Sequence, residues 1–409
     1  MKKHLLILAL FALLVTTNLA HDTDYHGAGD MDMHPTPCSA CGTGNGLMNM
    51  RANLNAYWEN VQGLPFDNEG VVRKYYIQAD EVIWDFAPLG YNGVTGKAYE
   101  DEERMYVKRD PPYLGSKYIK CIYREYTDAS FTTLKERGEN EGYLGNLGPV
   151  IRAEVGDTIK IKYKNACSFP TSMHPHGVFY NKASEGSPYA DGTRGRDKRD
   201  DAVPPGGEWT YTWLVPERAG PASMDGSTAM WMYHSHANEA TDILAGLVGL
   251  VGFMVITAKG LANPDATPID VDQELFFNFQ IFSETMSPYF PANVKKFKTD
   301  DDTPLQDADF IESNEMHTIN GYLWANGPIV KIKKGSRVRW NIMSMDIHTP
   351  HWHGNTFVTD GMRMDIFGLS YAEMKVVDMV PDNVGIWLYH CHVPDHFEAG
   401  MITKYEVIE

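Results

Sequence analysis

A β-strand turns successive side chains to opposite faces, and this rule bears hardest on the run from Trp387 to Met401. The run reads Trp387-Leu-Tyr-His390-Cys391-His392-Val-Pro-Asp395-His396-Phe-Glu-Ala-Gly-Met401. It opens as an apolar, aromatic strand pattern and closes in a turn containing Pro and Asp. On a strand, His390 and His392 share one face and Cys391 takes the other. A single strand can therefore serve two metal sites, one through a thiolate and one through two imidazoles. Cys391, His396 and Met401 supply the thiolate, one imidazole and the weak axial thioether of a blue-copper site, which still needs a second histidine.

Histidine pairs recur. There are four His-x-His pairs, 174/176, 234/236, 351/353 and 390/392. One such pair alone is a weak signal, but these four keep step with an internal repeat. Gly148-Pro-Val-Ile-Arg-Ala-Glu-Val-Gly-Asp-Thr-Ile-Lys-Ile returns as Gly327-Pro-Ile-Val-Lys-Ile-Lys-Lys-Gly-Ser-Arg-Val-Arg-Trp. Each copy leads to its own cluster, Met173-His-Pro-His-Gly177 or Pro350-His-Trp-His-Gly354. Two pairs per repeat give eight imidazoles, enough for three copper ions at a domain interface. His348, just upstream of Pro350, completes the Cys391/His396/Met401 set. The first repeat has no such set: Ser235 stands at the place of Cys391, Leu247 at that of Met401, and no histidine replaces His396.

The 409 residues suffice for two or three domains with full cores. Lys2 and Lys3, the apolar run Leu5 to Val15 and the end Asn18-Leu-Ala20 read as a secretory signal over 1–20, cleaved after Ala20. An exported, periplasmic or secreted protein is expected. Residues 21–69 form a leader containing His21, His26, Met31, Met33, His34 and Cys38-x-x-Cys41. It is readable as a metal-collecting tail or as a plain leader with a local disulfide; a short helix is expected over 51–63. From Val71 the runs are short, β-branched and aromatic, separated by Gly, Pro and Asp, as in a β-sandwich. Two sandwich domains are expected, 70–260 and 271–409, with a Pro- and Asn-containing linker at 261–270 between them. The net charge of −18 argues against nucleic acid. Cys121 and Cys167 can pair in an oxidising compartment.

With its four histidine pairs and its Cys391 strand, the chain resembles the multicopper oxidases, above all the ceruloplasmin-like and compact two-domain, small laccase-type members. Tyr76-Ile-Gln-Ala-Asp-Glu-Val-Ile-Trp-Asp-Phe-Ala-Pro88, Tyr233-His-Ser-His, Asp242-Ile-Leu-Ala-Gly-Leu and Glu312-Ser-Asn-Glu-Met-His-Thr-Ile-Asn-Gly321 carry the similarity. The resemblance implies an all-β fold of two cupredoxin-like Greek-key β-sandwich domains in tandem, with four copper ions per subunit. His348, Cys391, His396 and Met401 would bind the type 1 ion, and His174 and His351 the type 2 ion. The type 3 pair would be held by His176, His234 and His392 on one ion and His236, His353 and His390 on the other.

Such an enzyme takes single electrons from a substrate at type 1 copper and passes them through Cys391 to His390 and His392, for reduction of O2 to water. Glu185, Asp191 and Tyr180 are the implied proton-handling residues. Glu312, His317 and Asp395 match three ligands of a family iron site, and Ser344 stands where a fourth, a glutamate, is expected. The substrate is left open between phenols or aromatic amines, Fe(II) and Cu(I). By the family's architecture a two-domain chain would close its clusters as a homotrimer. The alternatives are a copper-dependent nitrite reductase, against which Ser235 and the full set of eight histidines speak, and a non-catalytic copper-binding or electron-transfer protein.

Overall fold

The fold follows from the strand alternation and from its repetition. The computed structural model describes residues 69–237, 249–298 and 305–409, with isolated positions at 54, 56 and 58. The signal, nearly all of the leader, the Cys38/Cys41 pair, the motif at 242–247 and most of the 51–63 segment lie outside the described residues; positions 54, 56 and 58 are helical.

In the first half the strands are β1 (Val72–Asp85), β2 (Lys117–Glu125), β3 (Ile151–Glu154), β4 (Thr158–Asn165), β5 (His174–Pro175), β6 (Glu208–Leu214), β7 (Thr228–His234) and β8 (Val251–Thr257). They form two four-stranded sheets, ordered β2-β1-β4-β6 and β3-β8-β7-β5. β4 alternates buried Ile159, Ile161 and Tyr163 with outward lysines, the pattern of a sheet wet on one face. A disulfide joins Cys121 to Cys167.

The second half contains β9 (Gln273–Ser283), β10 (Glu315–Ile319), β11 (Val330–Lys333), β12 (Val338–Ser344), β13 (Pro350–Trp352), β14 (Phe357–Thr359), β15 (Met362–Met364), β16 (Met374–Met379), β17 (Gly385–Cys391) and β18 (Ile402–Ile408). Its sheets run β10-β9-β12-β16-β14-β15 and β11-β18-β17-β13. Strand for strand this is the first order repeated, with β14 and β15 added at one edge. Even the parallel pairs recur, β1 with β4 as β9 with β12, and β3 with β8 as β11 with β18. Residues 261–270 are a folded turn in which an Ala262–Pro268 bridge buries Ala266.

The two halves share core. Met230, Met232, Phe253 and Val255 from β7 and β8 pack in one cluster with Phe276, Phe277 and Trp340. Phe86, Tyr106 and Tyr118 join Phe282 and Trp324 in another. Within that second junction Lys120 of β2 pairs with Glu284, both fully buried, and the ammonium also lies 4.3 Å from the centroid of Phe282. Burial pushes Glu284 up to about 7, and Lys120 pulls it down. Removing one member of a buried pair leaves a desolvated charge, which costs about 3–5 kcal/mol. Lys120→Met should therefore lower the unfolding free energy by that order, while Lys120→Met/Glu284→Leu should recover most of it. Denaturant titration of the three proteins checks this.

Candidate metal centres

β17 ends in His390 and Cys391, and β13 runs antiparallel beside it, with His351 opposite His390 and Pro350 opposite Cys391. Cys391 points to the side where His348 and His396 wait. His348 arrives from the bend after β12, and His396 from α1 (Pro394–Glu398), the short helix after β17. The two Nδ1 atoms are 3.1 Å apart, and they lie 3.8 and 3.6 Å from the Cys391 sulfur. A trigonal ion bound at about 2.0 Å by nitrogen and about 2.3 Å by sulfur separates N from S by about 3.7 Å and N from N by about 3.5 Å. These residues fit such an ion. Met401 is buried next to them: its N–H donates to the His396 carbonyl (2.9 Å) and its own carbonyl accepts from Cys391 N–H (3.1 Å). Thr349 N–H donates to the Cys391 sulfur at 3.3 Å. Burial pushes the thiol pKa up and this donor pulls it down; a bound cation would favour the thiolate further.

The opposite face of β17 carries His390, which gathers with His351, His353 and His392 at ring separations of 4.9–5.6 Å. The first half builds the same quartet from His174, His176, His234 and His236, at 5.2–5.7 Å. Carbonyls set the tautomers. His174 Nδ1–H donates to Glu185 O (2.7 Å) and His351 Nδ1–H to Asp365 O (3.0 Å). His234 and His390 donate from Nδ1 to the carbonyls of Ser235 (3.1 Å) and Cys391 (2.7 Å). Each of these rings therefore offers Nε2 to a metal. The Nε2 atoms of His176 and His234 are 3.2 Å apart, those of His353 and His390 3.0 Å, the same pairs that the resemblance places on single type 3 ions. Burial and neighbouring imidazoles hold His176 and His390 down at about 4 and His234 at about 3, so these rings are neutral ligands at pH 7. Among the described residues, no ligand group combines members of the two quartets.

The repeat is faithful below the level of the ligands. Ser172 N–H donates to Ser235 Oγ (3.0 Å) where Thr349 N–H meets Cys391 Sγ, and His236 N–H donates to Ser172 Oγ (2.9 Å) where His392 N–H meets Thr349 Oγ1 (3.1 Å). By this register Thr171 replaces His348. Leu250, not Leu247, occupies the place of Met401, because Ser235 N–H donates to Leu250 O (3.1 Å) as Cys391 N–H does to Met401 O. Leu247 itself lies outside the described residues; the sequence alignment slipped because β8 begins only at Val251. The conclusion survives, since leucine cannot coordinate. The first half has hydroxyls and an alkyl group where the second has His348, Cys391 and Met401.

Two multicopper oxidase family models match the chain, over residues 138–261 and 292–409. The chain belongs to the multicopper oxidases. It is 41% identical over 345 residues to human ferroxidase HEPHL1, an alignment covering 82% of this chain and 29% of the relative. To mouse ceruloplasmin it is 36% identical over 374 residues, covering 88% and 35%. It thus spans about a third of the length of the curated relatives it matches. Among solved structures, multicopper oxidase mgLAC aligns with a TM-score of 0.53 at 19% identity, covering 83% of this chain and 86% of that one, a likeness of fold.

The remaining sequence candidates of this multicopper oxidase fall in two places. Tyr180 sits beside the first quartet, its ring 5.9 Å from His174. Glu185 meets the quartet through its backbone carbonyl, while its carboxylate binds Lys182 (2.6 Å) and the Tyr189 hydroxyl (2.8 Å). Asp191 pairs with Lys198 (3.0 Å) and accepts from Thr193, which holds its carboxyl well below the ordinary range. Beside the blue-copper set, the His317 ring stands 5.3 Å from that of His396, and Asp395 acts electrostatically on both. Glu312 accepts from the Tyr106 hydroxyl at 2.7 Å. Ser344 is fully buried, its hydroxyl turned onto the Asp346 carbonyl. The sequence reading missed Tyr106, 206 residues from Glu312, and half-buried Asp346, whose charge acts on both His317 and His396. Among the described residues, no helix is long and apolar enough to cross a membrane.

The depressed histidine pKa values make a signed prediction. Below pH 6.5 the unfolded chain binds protons that native His176 and His390 refuse until about pH 4 and His234 until about 3. Their contribution to stability is complete above 6.5 and is lost as pH falls towards 4. Thermal melts of metal-free protein between pH 7.5 and 4.5 should show midpoints falling by several degrees; a flat profile would mean that these rings ionise freely in the native state.

Proposed function

We propose that the chain is an exported copper-dependent oxidase that oxidises Fe(II) beside His396 and reduces dioxygen to water at clusters built from both quartets. The observation that carries the substrate reading is the donor set around His396. His317, Glu312, Asp395 and Asp346 are an imidazole and three carboxylates, hard enough for Fe(II) and poorly suited to an uncharged phenol. The carbonyl of Glu315 accepts from His317 Nδ1 (2.9 Å), which leaves Nε2 for a ligand, and the Tyr106 hydroxyl steadies Glu312. Asp346 supplies the anionic charge that Ser344 does not.

Copper held by the Cys391 set and the two quartets, four ions per chain in this reading, would supply the redox chemistry. The chain's own part is to hold and connect. Cys391 is covalently continuous with His390 and His392, so the substrate-side site and the quartet are joined through a few backbone bonds. Tyr180, its ring 5.9 Å from that of His174, and Glu185 are the proton-handling groups of this reading, with Asp191 third because the bonds from Thr193 and the ion pair with Lys198 keep it ionised.

Neither quartet holds all the ligands of a three-ion cluster. His392 is exposed, as are Phe179 beside the first quartet and Ile386 on the His390 face of β17. Three copies closing a ring head to tail would bring each first quartet against a neighbour's second and cover these groups.

Two measurements test this reading. Light scattering of copper-loaded protein should give the mass of three chains, and a monomer would remove the shared cluster. Oxygen uptake with Fe(II) and with dimethoxyphenol, run side by side, should favour Fe(II). Glu312→Ala, Asp395→Ala and Asp346→Asn should each cut Fe(II) turnover about tenfold or more while sparing the phenol rate. Phenol turnover that dominates and is indifferent to these changes would make the protein laccase-like and the carboxylates scaffold.

A further inference from the structure

Asp200 stands apart from the acids already considered. It is fully buried, its Oδ2 accepts the Gly186 N–H at 2.8 Å, and its Oδ1 is buried with no partner among the described residues. Gly186 is the middle of a three-residue loop, and all three residues are engaged. Glu185 O accepts from His174 Nδ1, and Ser187 Oγ lies 3.1 Å from His236 Nδ1. Gly186 O accepts from Ser172 Oγ (2.7 Å), which in turn accepts from His236 N–H (2.9 Å). The loop lies close against the ligand strand, since a Cβ added at Gly186 would stand 2.4 Å from the Met173 carbonyl.

We propose that Asp200 is the positioning residue of the first quartet: through Gly186 it fixes the loop whose carbonyl and hydroxyl orient His174 and His236, and its own protonation modulates that hold. Among the described residues, the second quartet does without such an acid. There the acceptor for His351 is the carbonyl of Asp365, tied directly to the ligand strand by Trp352 N–H at 2.9 Å. The surroundings of Asp200 agree with a titratable grip. Burial raises its carboxyl to about 6, the charge of Asp201 adds to this, and the amides of Gly186 and Glu185 oppose it. From β6 the Tyr211 hydroxyl donates to the Asp200 backbone carbonyl (2.8 Å). The nearby cations are committed elsewhere, Lys198 to Asp191 and Asp201, and Lys182 to Glu185 and Asp191. The ionised form makes the stronger, charge-assisted bond to Gly186 N–H, so the loop is held more firmly above pH 6 than below it.

The inference rests on the quartet being a metal centre, and the experiment separates the two ideas. Copper-loaded wild type, Asp200→Asn and Asp200→Ala are compared from pH 5 to 8 by the electron paramagnetic resonance of the copper bound by His174, with the blue absorbance of the Cys391 site as internal control. Wild type should show a step in the resonance near pH 6. Asp200→Asn, which keeps an acceptor for Gly186, should keep blue colour and signal but lose the step. Asp200→Ala should keep blue colour and bind the His174 copper about 10–100-fold more weakly. A pH step surviving in Asp200→Asn, or wild-type copper binding in Asp200→Ala, would overturn the proposal. Nitrogen-15 histidine spectra of metal-free protein give a second, copper-independent reading. His174 should be the single Nδ1–H tautomer in wild type and mixed in Asp200→Ala, and an unchanged tautomer would also overturn it. Wild type that took up no copper would instead sink the functional reading, and the metal-free spectra would still decide the role of Asp200.

Discussion

Everything in this molecule depends on the two-residue period of β17. Because side chains alternate across a strand, His390 and Cys391 are neighbours in sequence and opposites in space. A helix at the same place would spread the three ligands over about 200° of its circumference and serve neither site. The period also fixes register: a slip of one residue against β13 or β18 would swap thiolate and imidazole between faces. Register is pinned on both sides, by His351 opposite His390 and by His390 opposite Ile402. The apolar core under β17 thus preserves chemistry as well as stability, since Tyr389 packs against Trp340, Trp352 and Phe277.

The duplicated sandwich shows what that framework does when its ligands are changed. Thr171, Ser235 and Leu250 stand in the places of His348, Cys391 and Met401, and the backbone bonds around them are kept. Ser235 Oγ takes the amide that Cys391 Sγ takes in the other half, and Thr171 bonds the Tyr163 hydroxyl. A vacated ligand pocket in a close-packed core would leave a cavity and unpaired polar groups. Hydroxyls fill the space and satisfy one another. The outer face, with its quartet, is untouched, because alternation lets one face of a strand change without the other.

How much of this was legible in sequence follows from range. The strands, the repeat and the two faces of β17 were readable because they are local patterns with periods of two residues or one repeat. The Leu247 alignment failed in a segment whose length between His236 and β8 has no local signature. Tyr106, Asp346 and Asp200 were invisible for a different reason. Tyr106 meets Glu312 across the packing between the two halves, Asp200 meets Gly186 from another loop, and Asp346 acts by charge on His317 and His396. A lone Asp or Tyr carries no spacing to read.

The two metal regions also differ in how they treat protons and charge, and the difference matches their tasks. Around His396 the carboxylates of Glu312, Asp395 and Asp346 are half-buried or exposed, an acidic environment of the kind that attracts cations. Around the first quartet the half-buried Glu185 and Asp191 and the buried Asp201 are matched by Lys182 and Lys198, so their field is neutralised locally, and the acid without such a match, Asp200, is fully buried. In the proposed reading, the site that draws in a metal ion keeps its acids near the surface, and the site that holds ligands in fixed tautomers pairs its acids with lysines or buries them. The same fold meets both demands because the quartet and the thiolate lie on opposite faces of one strand, which separates their electrostatic surroundings while keeping them covalently joined.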